Sequence, residues 1–160
     1  MNRIWLIAVL TVLLGGAMLT PPPPGTPSGD DTQVFLRQWQ SFHITHYRFA
    51  LVVICQCGLL HQPYTMEVRD GKLISALDSQ GQPISDADLE GPPHSVDWFY
   101  GLTTIDSLFA HIEQVSSQGA TVNVVYDPAY VFPAYIFVNW PRGRGGAEVA
   151  LHVMDFAVLP

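Results

Sequence analysis

Apolar side chains recur along the chain with two different periods, and the change from one to the other marks the elements. From Asp31 to Phe42 the residues Phe35, Trp39 and Phe42 keep a helical spacing, with Asp30, Asp31 or Thr32 available as N-cap, which predicts a short helix. Tyr47 to Cys57 alternates instead: Tyr47, Phe49, Leu51, Val53, Cys55 and Cys57 share one face of a strand, the predicted core face, while Val52 and Ile54 make the other face apolar too. Tyr64 to Arg69 and Lys72 to Leu77 flank Asp70-Gly71, whose residues both tolerate positive φ, and this predicts a tight hairpin. Ser79 to Gly101, rich in Gly, Pro and Asp, reads as one long connection.

Thr103 with Asp106 resembles a capping box, and Ile105, Leu108, Phe109, Ile112 and Val115 keep one apolar stripe until Gly119 stops the helix. Strands follow at Thr121 to Tyr126, Ala134 to Trp140 and Glu148 to Phe156, split by Asp127-Pro128 and by the loop Pro141 to Gly146. No helix separates these last three. The pattern therefore predicts an α+β fold, a twisted antiparallel sheet of about six strands with one or two helices packed on one face.

The N-terminus has its own grammar. Met1-Asn2-Arg3 is a short positive region, and Ile4 to Leu19 is an uncharged apolar run with small residues at Gly15-Gly16-Ala17, as in a secretory signal peptide cleaved after Ala17. Pro21 to Pro24 begins a stiff spacer. The expected organisation is a signal peptide over 1–17, a proline-rich linker over 18–30 and one domain over 31–160, exported to the periplasm or the extracellular space. An uncleaved signal is the expected route to the membrane, and no cysteine lies near the site to take a lipid.

Charge narrows the partners. The chain carries a formal −7, and no Lys or Arg occurs between Lys72 and Arg142. Binding to nucleic acid backbones needs clustered cations and is not expected. The acidic stretch from Asp78 to Asp127 suits a cation or a basic partner, or serves as a solvated face.

Tyr47, Cys55-Gln56-Cys57, Val68-Arg69-Asp70-Gly71, Thr104-Ile105, Leu108-Phe109 and Tyr126-Asp127-Pro128 with Tyr130 and Pro133 form an ordered series. Over about Trp39 to Phe156 the chain thereby resembles a family of small exported bacterial proteins classed as a domain of unknown function. The resemblance implies compartment and fold, and no activity. Gln56 stands where that family has an aromatic between the cysteines, and Val131-Phe132-Pro133 stands where it has Gly-Tyr-Pro.

Cys55 and Cys57 are the two cysteines of the chain, so in an oxidising compartment each has the other as intramolecular partner. Two residues of extended strand span about 6.6 Å, near the upper edge for a disulfide, so the bond is strained unless a bulge shortens it. A structural disulfide leads over two buried thiols and over a redox or metal role. A zinc site would recruit Cys55, Cys57 and His61 with His43 or His46, but nothing repeats the ligand pair. Asp86, Asp88, Glu90, Gly91 and Asp97 fall on positions of a calcium-loop template, against which stand Pro92-Pro93 and the lack of flanking helices. A nucleophile elbow, a metalloprotease helix motif and a phosphate loop are all missing from the sequence. The expected function is that of a non-enzymatic exported module that binds another protein and needs no cofactor. The alternative is thiol-disulfide or metal chemistry at the Cys-x-Cys pair.

Overall fold

Asp70 and Gly71, at φ +49° and +72°, form the two-residue turn that their sequence demands, and around it β2 (Tyr64–Arg69) pairs with β3 (Lys72–Leu77). The computed structural model describes residues 29–55, 63–85, 101–141 and 148–160. Among them β1 (His46–Cys55), β4 (Thr121–Tyr126), β5 (Pro133–Asn139) and β6 (Glu148–Val158) complete a six-stranded sheet in the order β3-β2-β1-β6-β5-β4, antiparallel throughout. Helices α1 (Gly29–Ser41) and α2 (Ile105–Ser117) pack on one face. The predicted α+β architecture is therefore the one formed.

Each helix is followed by a three-stranded meander, and the two meanders meet where β1 lies against β6. The alternation predicted for β1 buries Tyr47, Phe49, Leu51 and Val53 under the helices. Met66 and Val68 of β2 lie opposite Phe49 and Tyr47, while Val153 and Leu151 of β6 lie opposite Leu51 and Val53, so one apolar layer crosses these three strands. The α2 stripe, Ile105, Leu108, Phe109, Ile112 and Val115, is buried against this layer throughout.

Several boundaries differ from expectation: α1 starts at Gly29, before its expected caps, β5 is Pro133–Asn139 and β6 runs on to Val158, and two further differences have local reasons. The α2 cap is Thr104, one residue later than Thr103: its hydroxyl accepts from Ser107 N–H at 3.0 Å, and the Ser107 hydroxyl accepts from Thr104 N–H at 3.0 Å. Asp106 instead occupies the first turn, where its charge favours the helix dipole. The connection after β3 starts as structure, because the Asp78 carboxylate accepts from the N–H groups of Gln80 and Gln82 and folds Pro83 and Ile84 back onto Leu77 and Ala76.

Tyr47 joins the layers. Its buried hydroxyl oxygen accepts from Ile105 N–H at 3.1 Å, satisfying one of the donors that a helix N-terminus leaves unpaired. Burial pushes this phenol up to about 12, with the Ile105 bond pulling the other way and the Asp106 carboxylate adding to the rise. Tyr47→Phe leaves that amide without its acceptor, and urea unfolding should show a loss of about 1–2 kcal/mol.

Candidate functional site

Several of the residues singled out in the sequence have no geometry here. The apolar run 4–19 with its cleavage site at Ala17, Cys57, His61 and the acidic loop Asp86, Asp88, Glu90 and Asp97 lie outside the described residues, as does the side chain of Cys55, whose backbone ends β1. Of the histidines considered as metal ligands, His46 has both ring nitrogens engaged, Nδ1 at 2.8 Å from the Pro160 carbonyl oxygen and Nε2 at 2.8 Å from Glu67 Oε1. No three His, Cys, Asp or Glu side chains among the described residues lie together as a metal site would need.

Elements far apart in sequence converge at the end of the sheet where β1 begins. Asp70 N–H, in the β2–β3 turn, donates to the Thr45 carbonyl at 2.7 Å, and Tyr47 holds the start of α2 there. The β4–β5 loop is built by Asp127, whose Oδ1 accepts from Ala129 N–H and Tyr130 N–H at 2.9 and 2.8 Å. Within it Val131 sits at φ +55°, a left-handed conformation that a β-branched residue rarely takes. Aromatic contacts keep the loop in place: Tyr130 meets Phe42 and Phe156, and Phe132 meets Trp39 and Phe156. Beside it Asp127, Tyr130, Phe132 and the β6 bulge around Asp155 line an open cleft of about 330 Å³. The Tyr-Asp-Pro segment thus builds a turn, as its residues imply.

The second face of the sheet is covered by no described helix, and strand register arranges it in rows. At the β1 start lie Lys72, Arg69 and His46, then Ser75, Glu67, Arg48 and Ala157. The middle rows are Leu77, Thr65, Ala50 and Met154, then Val52, His152, Tyr135 and Val125, then Ile54, Ala150, Phe137 and Asn123. Glu148, Asn139 and Thr121 close the far end. A wet antiparallel face normally reads polar, whereas this one carries apolar side chains from β1 to the edge strand β4, where Ile54 is 46% and Val125 60% exposed.

Charge on this face is concentrated at one corner. The described residues contain four cationic side chains, Arg37, Arg48, Arg69 and Lys72, and the last three stand here, all exposed. Arg69 Nη2 lies 3.3 Å from His46 Nε2, and Glu67 is bonded to His46. The side chains of Arg48 and Lys72 have no hydrogen-bond or ion-pair partner among the described residues. Sequence reasoning passed over this corner. The signal was present in the hairpin, because Asp70-Gly71 places Arg69 opposite Lys72 and the period of two then puts both on the face of Glu67.

The model of a family described as a family of unknown function (DUF6174) matches residues 32–158, from within α1 to the end of β6. A search among curated proteins finds no match.

Proposed function

We propose, taking as premise that the chain belongs to the family of unknown function DUF6174, that the domain is an exported, non-enzymatic module that docks a partner protein on the helix-free face of its sheet. The observation that carries this reading is the exposed apolar side chains of that face, Ile54 and Val125, beside a basic corner in a chain of formal charge −7. Large apolar side chains left exposed beside polar groups mark interaction sites. The charge pattern gives the partner its chemistry: an apolar contact surface with an acidic border, complementary to Arg48, Arg69 and Lys72. Export to the periplasm or beyond follows from the N-terminal apolar run and places the partner in that compartment.

The immobilised domain should capture a protein from an envelope or culture extract, and Ile54→Lys together with Val125→Lys should abolish the capture without shifting the thermal midpoint. Val34→Lys, on an exposed position of α1, should leave capture intact. A wild-type domain that captures nothing, or a double variant that captures as well as wild type, overturns the reading. Cys55→Ser separates the thiol alternative, because docking on the sheet face survives that change and chemistry at the Cys-x-Cys pair does not.

A further inference from the structure

We infer that Arg48, Arg69 and Lys72 form a discrete anchor for carboxylate side chains, so that the partner presents a short run of Asp or Glu to the β1 start of the sheet. The inference rests on the docking reading and adds the chemistry of the contact. The three cations come from three adjacent strands, β1, β2 and β3, whose backbones lie about 4.8 Å apart. Arg69 and Lys72 are directly opposed, and Arg48 is diagonal to Arg69 through its own partner Glu67. Like charges set directly opposite one another repel, so a carboxylate brought beside Arg69 and Lys72 relieves that repulsion. Glu67 does not supply it in full, since its Oε1 is bonded to His46 at 2.8 Å.

Guanidinium groups read carboxylates in a bidentate fashion, and two of the three anchors are arginines. An extended acidic segment reaches all three at once. The neighbouring rows, with the half-buried Met154 and Val52, then accept the apolar residues beside it, a contact that free phosphate cannot make. An anionic lipid surface is a poorer fit, because a membrane plane meets the field of the whole acidic chain while a protein segment meets only the corner.

Octa-L-glutamate at low ionic strength is the probe, followed by the backbone amide and guanidinium resonances of the domain. It should give saturable shifts centred on Arg48, Arg69 and Lys72, and binding should weaken about tenfold, the equivalent of 1.4 kcal/mol, in Arg48→Glu and in Arg69→Glu. Arg48→Gln, which adds no charge, should weaken it less. Ile54→Lys together with Val125→Lys should leave octa-glutamate binding unchanged while it removes partner capture, so the two readings fail separately. Shifts scattered away from the corner, unchanged affinity in both charge-reversal variants, equal competition by inorganic phosphate, or stronger binding to vesicles of phosphatidylglycerol and phosphatidylcholine would each overturn the assignment.

Discussion

Acidification from about pH 7 to pH 4 should cost the domain about 3 kcal/mol through His111 alone, and His111→Leu should remove that part of the loss. His111 lies on α2, only 3% exposed beneath the helix stripe, and burial pushes its imidazole from 6.5 down to about 4. Burial penalises the charged form, so the ring resists protonation in the folded state and accepts it freely once the chain unfolds. The sign follows directly. Between about 6.5 and 4 the unfolded chain binds the proton and the native one does not, so stability falls as pH falls. Above that window His111 is neutral in both states and stability is complete; below it both states are protonated and the loss stops growing. Urea unfolding of wild type and His111→Leu at three pH values across the window isolates this contribution, because every carboxylate is common to both proteins. Parallel stability curves would show that protonation of His111 is tolerated in the native fold.

Elements set by local chemistry were legible in the sequence. Asp70-Gly71 specified its hairpin to the residue, because both residues tolerate the positive φ values of a two-residue type I′ turn, whose twist matches that of the flanking strands. The α2 stripe was equally clear, since five apolar residues at helical spacing leave one surface to bury. The N-cap was misplaced by one residue because Thr103 and Thr104 are chemically equal, and only the reciprocal bond with Ser107 distinguishes them. What no local pattern could show is the pairing of β1 with β6, strands about a hundred residues apart whose alternation fits several neighbours. The rows of the open face depend on that pairing. Val52 and Ile54 were visible as a second apolar side of β1, but their continuation through His152 and Ala150 to Tyr135 and Phe137 appears only in the register. The basic corner was half visible, since the hairpin sets Arg69 opposite Lys72, but the β1–β2 register is needed to bring Arg48 beside them. Its cations are scattered along an acidic sequence, and their proximity is a property of three strands.

Trp39→Ala should be the most damaging single change in the region where α1 meets the β4–β5 loop, costing about 3–5 kcal/mol in urea unfolding. Trp39 is 3% exposed and stands edge-on to three rings, Tyr47, Phe132 and Phe156, at 5.6, 6.1 and 5.8 Å between centroids. Edge-to-face contacts of this kind add to the area that the indole buries. The side chain thus ties α1 to β1, to the loop and to the β6 bulge in one contact set, and no neighbour can fill the space left by its removal without giving up its own packing. Trp39→Phe keeps one ring in the site and should cost less. A second readout follows from the loop itself. Val131 holds φ +55° because Phe132 is packed beside it, and its N–H donates to the Asp127 carbonyl at 2.9 Å while Asp127 N–H donates to the Phe132 carbonyl at 2.8 Å. Strained backbone persists only where its surroundings over-determine it. Once Trp39 is truncated, the Val131 and Asp127 amides should exchange faster with solvent deuterium than those of the β2–β3 hairpin, which Trp39 does not hold. Uniform acceleration across both would mean that the indole supports global stability alone, and unchanged exchange at Val131 would mean that the loop keeps its conformation without α1.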